Sequence, residues 1–350
     1  MITPSLTSKS RLILLAPHPD DEALACSIIL QRAVRAKAAI CVIYVTDGDN
    51  NPWPQRLLQR KWRITAADRK TWGKLRRSEA LAALRVLGVR DSDVRFLALP
   101  DQGLTDLVRH NCRSALDLLR TIITNWSPTD LLFPSTLDTH PDHSALGVMC
   151  RLLENDLLSD GETSLWNFAV HGKSALFRSR ATGLEGSEKE TATKLTAIRC
   201  HKTQLKLSRR RFLAYAARPE YFLRVRAGEP TGADGSARVI SRQPHSLQVS
   251  LERSIKPVSL GVPRFLLLGQ DRMGAVACMT LPVPFRRVFS GGEVTVFTDG
   301  FSSGHPIFLK VDRRPIFFDE AGWLEIPAVT QPALDVVADS SVPELAVAVR

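Results

Sequence analysis

The sequence lacks any apolar run that could cross a lipid bilayer. None of its 350 residues belongs to a stretch approaching the roughly 20 apolar residues that a spanning helix needs. Residues 1–11 are polar, whereas a secretory signal has a charged segment followed by an apolar one. The sequence therefore predicts a protein with no membrane span that is located in the cytoplasm.

Several motifs that would assign the chain to other classes are also missing. The six cysteines are scattered and include no CxxC pair, which predicts buried, reduced thiols and argues against a disulfide framework. We find no zinc-finger spacing, no RNP-type aromatic motif and no glycine-rich loop. No internal repeat recurs at a fixed period. Nucleic-acid binding is therefore disfavoured.

Positive charge is plentiful and is concentrated in two places. The formal net charge is +11, with nine Lys/Arg and one acid between Arg56 and Arg77 and a second basic cluster from Arg199 to Arg211. A solvated surface would explain such clusters without any partner. If a partner exists, a phosphorylated or otherwise anionic small-molecule or glycoconjugate substrate is the simplest one. The sequence does not indicate an oligomeric state.

Strand and helix patterns alternate over the first two thirds of the chain. Apolar or β-branched runs predict strands at residues 12–16, 39–46, 94–99, 130–133 and 168–170. Helical patterns follow at residues 22–34, 72–89, 108–125, 144–153 and 191–207. This alternation predicts a Rossmann-like, three-layer α/β domain with a mostly parallel sheet at residues 1–225. The basic segment 52–71 is too polar for a core and is predicted to lie beside the site.

The pattern changes to short β-runs after about residue 219. They lie at residues 221–225, 247–251, 264–268, 293–297, 306–311 and 323–326. Turn residues separate them at intervals typical of a β-sandwich. A smaller all-β, sandwich-like domain of unknown role is therefore predicted at residues 226–350, with an exposed linker at Gly228–Gly235.

Two of the predicted strands end in histidines and acids. The first runs into His18-Pro19-Asp20-Asp21-Glu22, and the strand at residues 130–133 runs into a segment that ends His140-Pro141-Asp142-His143. In an open α/β sheet, ligands bind in the crevice outside the carboxyl ends of the strands. Each motif alone has an ordinary explanation, such as an acidic first helical turn. Their recurrence at two strand ends predicts a shared site.

The residue types in these motifs suit a catalytic metal. His18, Asp21 and His143 offer the imidazole and carboxylate ligands that zinc takes, although another divalent metal remains an alternative. Asp20 would then be the general base, and His140 would stabilise an oxyanion or protonate a leaving amine. Asp138 or Asp142 would orient a histidine. Glu22 is interpreted as a helix-start residue or a support for its neighbours.

The two motifs resemble those of the PIG-L/LmbE-like zinc-dependent N-acetylglucosaminyl de-N-acetylases. That family has an AHPDDE-like motif after its first strand and a later HPDH, which compare with residues 16–22 and 140–143 here. Weaker matches are Thr46-Asp47-Gly48, residues 76–79, 99–101, Lys194 and residues 201–204. The resemblance covers residues 11–225 and differs in the basic insertion and in the whole carboxyl-terminal third.

This resemblance implies a reaction and a set of roles. It implies zinc bound by His18, Asp21 and His143, with Asp20 as the base and His140 assisting at the oxyanion or leaving group. Arg76 and Asp101 match positions that contact the sugar in related enzymes. The implied activity is hydrolysis of an N-acetyl group from an amino sugar or a conjugate that contains N-acetylglucosamine.

Three other functions are consistent with parts of the sequence. Two histidines and one carboxylate also describe non-haem iron oxygenases, but the β-barrel members of that class use HxD on one strand, whereas HxxD at a strand-to-helix turn is present here. The second alternative is an inactive protein that binds glycan or nucleic acid through its basic surface. The third is a metal-dependent amidase acting on a non-acetyl substrate.

Overall fold

The computed structural model describes residues 3–110, 112–158, 163–171, 175–226, 237–252, 263–312 and 322–329. The strands are β1 (Arg11–Ala16), β2 (Ala39–Thr46), β3 (Val94–Leu99), β4 (Asp130–Pro134), β5 (Ser164–Phe168), β6 (Thr182–Leu184), β7 (Glu220–Val225), β8 (Ala237–Gln243), β9 (Ser246–Leu251), β10 (Arg264–Gln270), β11 (Val276–Pro282), β12 (Gly292–Phe297), β13 (Ile307–Asp312) and β14 (Leu324–Ile326). The helices are α1 (Asp21–Ala25), α2 (Ser27–Arg35), α3 (Pro52–Gln59), α4 (Ala66–Leu87), α5 (Leu104–His110), α6 (Cys112–Trp126), α7 (Pro141–Leu152), α8 (Glu154–Leu157), α9 (Ala175–Arg180), α10 (Glu188–Cys200), α11 (Lys202–Leu213) and α12 (Phe285–Ser290). Of the helices in these ranges, none is both long enough and apolar enough to span a membrane.

The first seven strands form one sheet in the order β3-β2-β1-β4-β5-β7-β6. Its central strands pair in parallel, whereas β7 runs antiparallel to both β5 and β6. The strand order reverses between β1 and β4, which is the point where ligand crevices form in such sheets. The predicted Rossmann-like, mostly parallel sheet is confirmed.

Alternate side chains of β1 face opposite layers of helices. Leu12 and Leu14 pack with α1, α2, α4 and α10, whereas Ile13 and Leu15 pack with α5 to α8. Since successive strand residues point to opposite faces, a continuous apolar run is what a strand covered on both faces requires. The three-layer arrangement predicted from the sequence is therefore present.

The boundaries of several helices differ from the predictions. Helix α4 begins at Ala66 and not at residue 72, because Thr65 and Asp68 form a capping box there. The predicted helix at 22–34 is divided at Cys26, whose backbone is non-helical. Beyond the break, Glu220 accepts the N–H groups of Ile28 and Ile29 and so caps α2.

Other predicted elements were shifted or divided. The helices predicted at 108–125 and 191–207 are each two helices, α5 with α6 and α10 with α11. The strand expected at 168–170 lies at Ser164–Phe168. The run at 221–225 is β7 of the large sheet and does not belong to the β-rich region that follows. The predicted linker Gly228–Gly235 lies outside the described residues.

The carboxyl-terminal region contains two antiparallel sheets. β11-β10-β13-β14 form one and β12-β9-β8 form the other. Their facing side chains, such as Phe265, Leu267 and Val249, form one apolar core. This arrangement agrees with the sandwich-like fold predicted for this region.

The four-stranded sheet is buried on its second face as well. Leu266, Leu268, Phe308 and Trp323 share a core with the helices α5 to α8. On β10, Phe265 and Leu267 pack in the core between the two sheets, whereas Leu266 and Leu268 pack against the helices. Burial on both faces explains the uninterrupted apolar sequence of this strand. The described parts of the chain are joined by this core, and the boundary at residues 225 and 226 stays a prediction.

The five cysteines whose side chains the structure describes lie in buried or partly buried positions, as predicted. Cys26, Cys41 and Cys150 are buried, while Cys200 and Cys278 are partly buried, and all five are free thiols. Burial raises the pKa of Cys150 above its ordinary value, which suits an inert core residue.

Candidate metal centre

The two predicted motifs meet at the switch point of the sheet. His18, Asp20 and Asp21 follow β1, and α1 begins at Asp21. His140 and His143 follow β4, where His140 is the N-cap of α7. Because β1 and β4 are parallel neighbours, their carboxyl ends place both motifs at one edge.

The three predicted ligands point their donor atoms at one another. His18 Nδ1 lies 3.2 Å from His143 Nε2, and Asp21 Oδ2 lies 3.5 Å from His18 Nδ1 and 3.3 Å from His143 Nε2. Two donors bound tetrahedrally to zinc at its usual bond lengths are separated by about 3.3 Å. The triangle of donor atoms therefore has the dimensions that a zinc ion requires.

Carboxylates hold the ring of His18 in the orientation a ligand needs. Its Nε2 lies 3.1 Å from Asp142 Oδ2 and 3.2 Å from Asp101 Oδ1. The N–H groups of Gln102 and Leu104 donate to Asp142 at 2.6 Å and 3.0 Å and fix its position. A proton on Nε2 leaves the lone pair of Nδ1 directed at the donor triangle.

Asp138 occupies the matching position behind His143. Its Oδ2 lies 3.2 Å from His143 Nδ1 and accepts the N–H groups of Val170 at 2.9 Å and His171 at 3.0 Å. Its Oδ1 accepts the N–H of His140 at 2.9 Å. The Nε2 atom of His143 is thereby turned towards His18 and Asp21.

The electrostatic environment suits a cation. Four carboxylates lie beside His18 and His143 and are almost completely buried: Asp21, Asp101, Asp138 and Asp142. Burial alone lowers the pKa of His143, but Asp21 and Asp138 outweigh it and raise that pKa to about 9. Within the described residues, Asp21 Oδ1 is buried without a hydrogen-bond partner. The donor set and its surplus of negative charge fit a divalent metal.

His171 is a site residue that the sequence did not identify. Its ring centroid lies 4.8 Å from that of His143 and 5.3 Å from that of His140. Within the described ranges, three further groups of close donor atoms contain residues of this centre: His18 with His140 and His143, Asp21 with His143 and His171, and His18 with Asp101 and Asp142. The available signal was that His171 directly follows a predicted strand.

Asp20 is held in a strained conformation by Arg76. Its φ is 143°, a value that residues with a side chain rarely adopt and that recurs at functional sites. Arg76 donates to Asp20 Oδ2 at 3.1 Å and to the carbonyl oxygens of Pro19 and Gly48 at 2.6 Å each. Burial raises the pKa of Asp20 to about 6, while Arg76 acts in the opposite direction.

His140 faces the donor triangle from α7. The Asp142 N–H donates to its Nδ1 at 3.3 Å, so the neutral ring carries its proton on Nε2. Burial lowers the pKa of His140 well below the ordinary value, and the nearby His18 and His143 lower it further. A neutral imidazole with an Nε2 proton can donate a hydrogen bond to an oxygen atom in the cavity.

The remaining predicted residues lie at the same site. Glu22 accepts the Asp20 N–H at 3.0 Å, and its other oxygen lies 2.7 Å from His201 Nε2. Arg76 and Asp101 line the cavity, yet both are also bonded to other groups of the protein. Arg76 donates to Asp20, and Asp101 Oδ2 accepts the Asn50 N–H at 2.5 Å. Contact of Arg76 and Asp101 with a sugar stays a prediction.

A cavity of about 390 Å³ opens above these residues. His18, Asp20, His140 and His171 form its floor, and α3 and α11 contribute Trp53, Leu207 and Arg211 to its walls. The insertion predicted to lie beside the site thus contributes a helix to the cavity wall.

A family model confirms the resemblance found in the sequence. Residues 13–152, which include both motifs, match the model described as PIG-L, GlcNAc-PI de-N-acetylase. This part of the chain belongs to the PIG-L family. The comparison with curated protein sequences gave no match.

Solved structures similar to this chain include deacetylases and one hydratase. The zinc-inhibited form of teicoplanin deacetylase Orf2 is 17% identical, with 62% of this chain and 100% of that chain covered and a TM-score of 0.47. The N,N'-diacetylchitobiose deacetylase from Pyrococcus horikoshii has the same identity and TM-score, with 62% and 84% covered. GalB, the 4-carboxy-2-hydroxymuconate hydratase from Pseudomonas putida KT2440, is 19% identical, with 59% and 82% covered and a TM-score of 0.44. Because these TM-scores are below 0.5, the named activities say nothing about this chain.

Replacing Asp138 tests how the loop between β4 and α7, which lies in the segment that matches the PIG-L family, orients His143. Asp138→Asn is expected to weaken zinc binding by about 10–100-fold, because an amide stabilises the histidine tautomer less well than a carboxylate. Competition with a chromogenic chelator would measure the affinity. Asp130→Asn is the matched control, since Asp130 is a buried acid at the opposite end of β4, bonded to Trp166. An unchanged affinity in Asp138→Asn would contradict the assigned orientation.

Gly48, in the Thr46-Asp47-Gly48 motif, leaves room for the guanidinium of Arg76 because it has no side chain. A Cβ at Gly48 would lie 1.7 Å from Arg76 Nη1, and the φ of Gly48 is +61°. Gly48→Ala is expected to lower by roughly 10–100-fold the kcat of any reaction in which Asp20 takes part, because Arg76 must move and release Asp20. Gly274→Ala controls for backbone strain, since Gly274 has a φ of +78° but no atom within 4 Å of its Cβ position. Equal kcat values in the two variants would contradict this role.

Proposed function

We propose that the chain is a zinc-dependent deacetylase that removes an N-acetyl group from an amino sugar or from a glycoconjugate that carries one. The observation that carries this proposal is the triangle of His18, Asp21 and His143 donor atoms, with Asp20 and His140 beside it in one cavity. Membership of residues 13–152 in a family of metal-dependent de-N-acetylases supports the reaction class. Another divalent metal would satisfy the same ligands.

The residues divide the work of amide hydrolysis among themselves. A zinc ion held by His18, Asp21 and His143 would lower the pKa of a water molecule and polarise the acetamide carbonyl. Asp20 takes the proton from the attacking water, since Arg76 fixes one of its oxygens and burial makes its carboxylate more basic. The Nε2–H of His140 donates a hydrogen bond to the oxyanion, and the proton that Asp20 has taken from the water is the one that passes to the leaving amine.

His171 and Arg211 add to the substrate side of the cavity. Arg211 Nη2 lies 3.4 Å from His171 Nδ1, and both residues line the cavity. Arg211 is an exposed cation on the cavity wall, whereas Arg76 is already bonded to Asp20. Arg211 is therefore the group that favours a substrate with an anionic group near the amino sugar. These contacts support, on this chain's own residues, the expectation of an anionic substrate.

Acetate release is the direct test of this function. The zinc-loaded protein would be assayed with N-acetylglucosamine, its phosphorylated and nucleotide-linked forms, and short oligomers. We expect chelation to abolish the release and zinc to restore it, and metal analysis after aerobic purification to give zinc as the bound metal. Iron in its place would favour an oxygenase. Tight glycan binding without acetate release from any substrate would favour an inactive binding protein.

A further inference from the structure

Exposed apolar side chains are concentrated beside the cavity mouth. Ten large apolar side chains are exposed in the described part of the chain, and half of them lie on α3, the loop that follows it, and α11: Trp53, Leu57, Leu58, Trp62 and Leu207. Trp62 is 88% exposed and Trp53 is 56% exposed. Scattered exposed apolar residues are ordinary, whereas such a concentration marks an interaction surface. We call α3, residues 60–65 and α11 the rim.

The rim is also strongly basic. Residues 52–65 and 202–213 contain nine Lys/Arg and no acid. The guanidinium of Arg56 lies 5.0 Å from the ring centroid of Trp53 and 5.7 Å from that of Trp62. Apolar and cationic groups are therefore interleaved on one surface, and its charge selects an anionic partner.

The two helices of the rim lie together and border the cavity. α3 packs against α11. Trp53 from α3 and Leu207 from α11 line the cavity and remain exposed at its mouth. Leu57, one helical turn after Trp53, continues the exposed apolar surface away from the cavity. A partner bound to the rim would thus face the entrance to the site.

We propose that the rim docks the protein onto the surface of an anionic lipid bilayer, with the cavity mouth facing the headgroups. Indole rings favour the depth of the headgroups, leucine side chains reach the acyl boundary, and Lys and Arg bind lipid phosphates. A nucleic acid would satisfy the cations but would give the exposed leucines no apolar environment. A second copy of the chain would bring two basic surfaces together. The proposal does not depend on the reaction in the cavity.

Vesicle flotation with the full chain tests this docking. The probes are vesicles of phosphatidylcholine alone and of an equimolar mixture with phosphatidylglycerol. We expect binding to the anionic vesicles only, which weakens as salt is raised, and a blue shift of tryptophan emission that Trp62→Ser largely removes. The pair Arg60→Glu and Arg63→Glu should weaken binding at least about tenfold, because each cation contributes to attraction by anionic lipid.

Matched control variants and a DNA duplex as an alternative anionic ligand complete the test. Arg272→Glu with Met273→Ser changes an exposed cation and an exposed apolar residue far along the chain, in the β-rich region, and should leave binding unchanged. None of the five substituted residues, in the rim or in the control, lines the cavity. Activity on a soluble substrate should therefore be unaffected in every variant. The proposal is overturned if the rim and control variants bind vesicles equally. It is also overturned if the parent protein does not bind anionic vesicles but binds a DNA duplex, and the rim variants lose that DNA binding.

Discussion

Asp20→Asn is expected to retain zinc and to lose most of the proposed deacetylase activity. Asp20 is not part of the donor triangle, so the metal affinity should stay close to that of the parent protein. An amide cannot accept the proton of the attacking water, and a general base contributes about 10²–10⁴-fold to rate. Asparagine tolerates positive φ angles better than most residues, so the strained backbone at position 20 can be kept. Acetate release and zinc content per chain would measure the two effects.

His143→Ala provides the contrast to this variant. It removes a donor atom of the triangle, so both zinc and activity should be lost together. The difference between the two variants separates proton transfer from metal binding, which a loss of activity alone cannot do. Undiminished hydrolysis by Asp20→Asn would show that another group is the base.

The main features of this centre could be predicted because they are local in sequence. Each motif directly follows an apolar strand, and parallel strands bring their carboxyl ends to one edge. The spacing from His18 to Asp21 across a strand-to-helix turn was therefore informative without any knowledge of tertiary structure. His171 has no such motif around it, and only the pairing of β4 with β5 brings it to the same edge.

The support of Asp20 by Arg76 could not be predicted for a different reason. Arg76 lies on α4, and its position on that long helix looks like one of many cations in a basic segment. Its guanidinium reaches Asp20 only because Gly48 has no side chain. Close approach of this kind depends on three separate segments and leaves no periodic pattern in the sequence.

The carboxyl-terminal region shows the same limit on a larger scale. The apolar residues of β10 predict a buried strand, but they do not identify what covers each of its faces. One face covers the sandwich core and the other packs on α5 to α8. A buried ion pair between Arg151 of α7 and Glu325 of β14 joins the same two regions. The region therefore packs behind the candidate metal centre.

The segment Gly322–Trp323 lies directly against the loop that carries half of the candidate site. The Trp323 N–H donates to Thr136 O at 2.7 Å, and both residues are completely buried. Asp138, which orients His143, is two residues further along this loop. The contact therefore supports the position of a group that acts on a proposed metal ligand.

Gly322→Ala is expected to lower both the free energy of unfolding and the affinity for zinc. A Cβ at position 322 would lie 1.9 Å from Thr136 O and 2.7 Å from Leu137 Cα, and because both are backbone atoms the loop must move. Overpacking of this kind costs about 1–3 kcal/mol, and a displaced orienting group weakens metal binding about 10–100-fold. Urea unfolding and chelator competition would measure the two changes.

Gly304→Ala is the matched control for this prediction. It adds the same methyl group in the same region, but the nearest atom lies 3.8 Å from its Cβ position. Both the stability and the zinc affinity should therefore match the parent protein. If Gly322→Ala loses stability but binds zinc as tightly as Gly304→Ala, the carboxyl-terminal segment stabilises the fold without positioning Asp138. A loss of affinity in Gly322→Ala alone would make residues 322–323 part of the apparatus that holds the metal.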